Sequence, residues 1–130
     1  MIFTSKNHKN PLDLSAAEKY YPAPVYLQTT DLSNLASEIA HSTSLTATDV
    51  KAVIEELLVS FKRHLLNGEK IKLDGIGIFK VSFSGTGTET PEEVTSKNID
   101  PSTIRVTFVS DLKLKKAIRS EITFEKYNGR

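Results

Sequence analysis

Three histidines, two adjacent glutamates and a pair of glycines are the residues here whose types could support catalysis or ligand chemistry. Their spacing argues against both. His8, His41 and His64 are scattered, with no two at metal-ligand spacing on one helix. His41 adjoins Ser42, but sequence adjacency makes no triad, and the pair reads as a helix cap. Glu55 and Glu56 are neighbours, so on a helix they point in different directions and read as surface. Gly85 and Gly87 lack the Lys-Ser/Thr signature and the following helix of a phosphate loop. The expectation is a protein that is not an enzyme, with no cofactor, no metal site and no small-molecule substrate. What remains is charge. Residues 111–130 hold Lys113, Lys115, Lys116, Arg119, Lys126 and Arg130 against Asp111, Glu121 and Glu125. A second group, Lys62, Arg63, Lys70 and Lys72, reads as solvation of a helix end and a strand, where cations suit the helix C-terminus.

These side chains sit in an ordinary globular composition. The chain has 130 residues, 38% hydrophobic and 25% charged, a comfortable length for one domain. Its formal net charge is only +1, whereas proteins that grip phosphates nonspecifically are mostly strongly basic. There is no cysteine, which fits a reducing compartment and removes thiolate zinc sites. The opening MIFTSKNHKN has no apolar core of signal-peptide length, and no apolar run approaches the roughly 18 residues of a membrane span. Cytoplasmic retention, with no membrane partner, is the expectation.

The elements that must position the charges follow from periodicity. Residues 1–29 hold three of the five prolines and three of the four tyrosines. Pro22 and Pro24 rule out a continuous helix there, and extended pieces are expected at Ile2–Ser5 and Val25–Gln28. A helix is expected from Thr30 to about Ser42, with Leu32, Leu35, Ala36, Ile39 and Ala40 on one face. A second starts with Thr46 as N-cap and Asp49 three residues on, a capping-box pattern with Asp in place of Glu. Val50, Val53, Ile54, Leu57, Leu58, Phe61 and Leu65 make an apolar stripe too wide for one short helix to cover, and Asn67-Gly68 ends it. Lys70–Asp74 alternates as a half-buried strand. Gly75 and Gly77 bracket one apolar residue, which suits a tight turn with close backbone packing. Ile78–Ser84 and Thr103–Val109 read as strands, with Phe79, Val81 and Phe83 on one face and Ile104, Val106 and Phe108 on one face. Between them lies a polar excursion rich in Thr, Gly and Glu. Ser110 or Asp111 can cap a last helix, DLKLKKAIRSEITFEK.

This order of elements resembles the bacterial HU and integration-host-factor family of DNA-bending proteins. The residues that carry the resemblance are the helix pair from Asp31 to Leu73, then GIGIF at 75–79, the returning strand with Phe108, and LKLKKAI at 112–118. The segment KNPLDLSAAEKYYPAPV before them is similar to a Bacteroidetes-type subgroup with an N-terminal extension. The resemblance implies an α+β fold in an intertwined homodimer: a helical base, two β-ribbon arms and a C-terminal helix. Residues 1–29 would be an extension packed on the body, and 30–130 the HU-like DNA-binding domain. It implies double-stranded DNA as the partner, bound in the nucleoid without strong sequence preference. Arms of this family reach through the minor groove and wedge between base steps. It places Lys113, Lys116 and Arg119 on the last helix, and Lys80, Lys97 and Arg105 in the arm and at its base, as phosphate contacts. No helix start clusters Arg, Asn or Gln for base-edge reading.

The arm departs from the family pattern. Residues 80–107 contain Lys80, Lys97 and Arg105 against Glu89, Glu92, Glu93 and Asp100, a net of −1. Pro91 lies near the expected tip and is either a turn residue or an intercalating wedge. A second reading therefore stands beside DNA binding: an HU-fold dimer that has lost DNA wrapping and serves as a protein-interaction or structural module.

Overall fold

A computed structural model describes residues 1–13 and 15–128; Arg130, counted above among the basic residues, lies outside the described residues. The chain divides into two units, one of Leu32–Ala117 and one of Met1–Asp31 with Ile118–Arg130.

The larger unit begins with two helices, α1 (Leu32–Ser42) and α2 (Ala47–Leu66). Both ends of α2 are set locally. Thr46 Oγ1 accepts from the Asp49 N–H at 3.1 Å while the Asp49 carboxylate accepts from the Thr46 N–H at 3.1 Å, completing the capping box. At the other end the Glu69 N–H donates to the His64 carbonyl and the Gly68 N–H to the Leu65 carbonyl, a Schellman motif. It needs Gly68 at φ 77. α1 ends without help from the His41–Ser42 pair; Thr43 Oγ1 donates to the Ile39 carbonyl instead, at 2.8 Å. Ala36 of α1 and Val50 of α2 are the buried apolar side chains of the described residues.

Three antiparallel strands follow, β3 (Ile71–Leu73), β4 (Gly77–Ser82) and β5 (Arg105–Ser110), in the order β3-β4-β5. Gly75 turns the chain at φ 82, and Gly77 packs so closely that a Cβ there would collide with the Val109 carbonyl and the Phe108 ring. Register pairs Phe79 with Phe108 and Val81 with Val106. With Ile71 opposite Phe79 and Leu73 opposite Gly77, these residues share one apolar face. Phe61 of α2 meets Phe79 edge-on at 5.3 Å between centroids.

The ribbon is short. Pairing stops at Ser82–Arg105, beyond which a single bridge joins Gly85 to Ile99. The excursion folds into 3-10 turns at Pro91–Glu93, Ser96–Asn98 and Pro101–Thr103. Its Ser, Thr, Asn and Asp side chains bond to nearby groups and displace the ladder. Thr95 and Asn98 cap one turn, Asp100 accepts from the Ser102 N–H and hydroxyl, and Thr103 Oγ1 bridges to Ser84 at both its N–H and its carbonyl.

α3 (Leu112–Glu121) is capped by Asp111, whose carboxylate accepts from the Lys113 N–H at 2.9 Å. The helix stops at Glu121, short of the length its sequence suggested. Ile122, Thr123 and Phe124, two of them β-branched, are poor helix formers, and the chain beyond them turns to strand.

In the smaller unit β1 (Ile2–His8) pairs antiparallel with β2 (Lys19–Pro24) and parallel with β6 (Glu125–Lys126), giving the order β2-β1-β6. The second extended piece thus falls at 19–24 rather than Val25–Gln28, and it contains both prolines. The Val25 N–H donates to the Ile2 carbonyl, so the odd-numbered residues of β2 bond to β1. Pro22 and Pro24 stand at the alternate, outward positions of an edge strand, where a missing N–H breaks no ladder bond.

Candidate nucleic-acid interface

The β3-β4-β5 sheet has two chemically distinct faces. Opposite Phe79 and Phe108 lie Lys80, paired with Thr107, and Arg105, paired with Ser82. Lys72 pairs with Ile78 and so falls on this same face. Strand alternation therefore gathers Lys72, Lys80 and Arg105 on one face, while the aromatic residues occupy the other. All three cations are exposed. Lys72 Nζ lies 3.7 Å from the still more exposed Asp74 carboxylate, a contact too solvated to neutralise it fully. Ser82 Oγ, between Lys80 and Arg105 in this pattern, is shielded and has no hydrogen-bond partner.

On α3, Lys113, Lys116 and Arg119 recur every third residue along one ridge of the helix, and all are exposed. The ion pairs described in this structure, His64–Glu69 and Lys72–Asp74, leave these side chains and Lys80 and Arg105 to solvent. Lys80 and Arg105 on the β face and the three cations of the helix ridge, with no ion pair among the described residues, suit a polyanion, because each exchanges only water and small counterions for the ligand.

Lys97 stands apart. It lies in the 3-10 turn Ser96–Asn98, outside the ladder that holds Lys80 and Arg105. Pro91 opens the turn Pro91–Glu93, with Glu92 and Glu93 beside it. Asp100 accepts hydrogen bonds from the Ser102 hydroxyl and N–H, which hold its carboxyl below the usual range and keep it anionic at the arm base. Lys72, which by sequence alone is a solvating cation of its strand, joins the face of Lys80 and Arg105. The alternation of KIKLD carried the signal, but only the β3–β4 register shows that its outward lysine shares a face with Lys80.

Residues 2–126 match the family model described as an HU domain fused to wHTH, Ig, or glycine-rich motif. Over 54 residues the chain is 37% identical to the DNA-binding protein HU of Thermus thermophilus, a match covering 42% of this chain and 56% of that protein. Among solved structures, the Anabaena HU–DNA cocrystal structure aligns with a TM-score of 0.53 at 21% identity, covering 72% of this chain and 100% of the HU chain. A Bacteroides vulgatus ATCC 8482 protein, provisionally named a bacterial DNA-binding protein, aligns with a TM-score of 0.59 at 13% identity, covering 97% of this chain and 47% of its own. The chain thus spans about half the length of that protein and of the Thermus relative it matches. At these identities the two structures establish the fold, and the family match establishes the lineage: the chain belongs to the family of HU domains fused to wHTH, Ig or glycine-rich motifs.

Proposed function

We propose that this protein binds double-stranded DNA through its phosphate backbone, without strong sequence preference, as a histone-like architectural protein of the nucleoid. The observation that carries the reading is the segregation of Lys72, Lys80 and Arg105 onto the sheet face opposite the aromatic core. Lys113, Lys116 and Arg119 of α3 are further exposed cations, and Lys97 is one in the folded arm. The relatives support the same partner: the Thermus protein is named for DNA binding, and the Anabaena HU was crystallised with DNA.

The working unit in this reading is a homodimer. Val53, Leu58 and Val59 of α2 are 63%, 58% and 61% exposed, and Val106 and Phe108 of the sheet also stand open. Apolar side chains left open on both the helix and the sheet favour association with a second copy.

The test is fluorescence anisotropy of a short labelled duplex across a salt series, with Lys113, Lys116 and Arg119 changed together to Glu in parallel. Affinity should fall steeply with salt, with a log–log slope of roughly −0.9 per phosphate neutralised, and the triple variant should lose binding. A folded dimer that does not bind even at low salt would overturn the reading. The second reading, a dimer that has given up DNA wrapping to engage a protein, is favoured by one feature: the arm is a compact lobe of net charge −1 rather than a long basic ribbon.

A further inference from the structure

A second two-stranded ribbon with a basic face is formed by β1 and β2. The β1–β2 register places Thr4, Lys6 and His8 on one face with Ala23, Tyr21 and Lys19. The opposite face carries Phe3, Pro22 and Pro24, which with Met1, Ile2 and Phe124 line an apolar cleft of about 440 Å3. The hairpin is therefore amphipathic, and its polar face bears cations and hydroxyls without a carboxylate. Glu125 of β6, in register with Ile2, falls on the same sheet face but at its far end, beyond Thr4 from Lys6 and Lys19. Glu18 accepts from Asn7 Nδ2 at 2.8 Å, and Asp13 accepts from the Ser15 hydroxyl at 2.6 Å. Lys6 lies directly opposite Tyr21, and Lys19 directly opposite His8. The two lysines are thus diagonal neighbours, about 7–8 Å apart at the backbone, a separation on the scale of successive phosphates along one DNA strand. The His8 and Tyr21 rings meet edge-on at 6.2 Å, which steadies the Tyr21 ring on this exposed surface.

We propose that this hairpin face is a second contact for the DNA phosphate backbone, with Lys6 and Lys19 as its cations and the Tyr21 hydroxyl as a hydrogen-bond donor. The proposal rests on the reading of the chain as a DNA-binding protein and extends it to the segment before the HU-like core. Charge complementarity selects the ligand. The face offers two ammonium groups, phenol and threonine hydroxyls and an imidazole, the groups that contact phosphates and sugars rather than base edges. It supplies through the extension some of the cationic ribbon that the folded arm, with its net charge of −1, does not.

The experiment is the same duplex titration over a salt series with four proteins: the unmodified chain, Lys6→Gln/Lys19→Gln, Lys6→Arg/Lys19→Arg, and Lys113→Glu/Lys116→Glu/Arg119→Glu. The glutamine pair should weaken binding and reduce the salt slope by roughly 0.9 for each lysine removed, and the arginine pair should restore both. Both positions are exposed, and unchanged circular dichroism will establish that the hairpin variants fold. An unaltered slope and affinity in the glutamine pair would overturn the hairpin contact while leaving DNA binding standing. Equal loss in the arginine pair would also overturn it, since the effect would then be structural rather than one of charge. Absence of binding by the unmodified chain would overturn the hairpin contact and the DNA reading together.

Discussion

Phe79 and Phe108 face each other across the β4–β5 ladder with ring centroids 4.8 Å apart and planes tilted by 37°. The pair lies where helix, sheet and the proposed dimer surface meet: Phe61 closes one side of Phe79, while Phe108 is still 48% exposed in the single chain. Phe79→Ala should therefore cost about 3–5 kcal/mol of stability in urea unfolding. The midpoint of unfolding should rise with protein concentration, because the folded state is proposed to be a dimer.

The dimer surface itself is tested by charge. Leu58→Glu on the exposed stripe of α2 would place a carboxylate in the proposed apolar contact, where it has no partner. Sedimentation equilibrium should show the unmodified chain as a dimer and the variant as monomer, with partial unfolding as the apolar stripe is left uncovered.

The capping box of α2 predicts a pH effect of known sign. The Thr46 hydroxyl and N–H hydrogen bonds hold the Asp49 carboxyl below its ordinary value of 3.8. A folded-state pKa below the unfolded one means the contribution is complete above the unfolded value and is lost as pH falls through the folded value. Thermal stability should thus fall below about pH 4 in the unmodified chain, and Asp49→Asn should remove that part of the acid dependence. Thr46→Ala should cost about 1 kcal/mol at neutral pH.

Two positive-φ glycines contrast an open site with a crowded one. Gly68→Ala meets open space, so its cost is that of a left-handed residue alone, about 1–2 kcal/mol. Gly77→Ala drives a methyl into the Val109 carbonyl and the Phe108 ring, and it should destabilise the protein by clearly more. Denaturant melts of the two variants side by side give the comparison; equal costs would show that the sheet yields at Gly77.

The arm tip distinguishes turn from wedge. Pro91 opens a 3-10 turn, and Pro91→Ala should leave affinity and DNA bend angle unchanged if that is its whole role. Loss of bending, measured by energy transfer between dyes at the duplex ends, would identify it as a wedge. Changing Glu89, Glu92 and Glu93 together to Gln should raise affinity at low salt if the arm approaches the duplex, by removing repulsion from the phosphates.

Some of this protein was determined by its sequence alone, because the determinants are local. Thr46 and Asp49 specify the start of α2 through bonds spanning three residues, and Gly68 specifies its end through one positive φ. The alternation of Phe79 with Val81, and of Val106 with Phe108, committed both segments to a sheet with one apolar face. Those signals, with Gly75 and Gly77 between them, sufficed to suggest the family.

What tertiary structure alone decided is which distant residues share a face. Lys72 joins Lys80 and Arg105 through the β3–β4–β5 register, which depends on the long-range pairing of Lys80 with Thr107 and of Ser82 with Arg105. The end of α3 is not legible locally: Glu125 and Lys126 suit a helix, yet they become a strand beside residues 2 and 3. Pro22 and Pro24 rule out a helix locally, but only the pairing with β1 places them in an edge strand, at its outward positions. Long-range pairing chose among conformations that local propensity left nearly equal in free energy, so those choices could not be read along the chain.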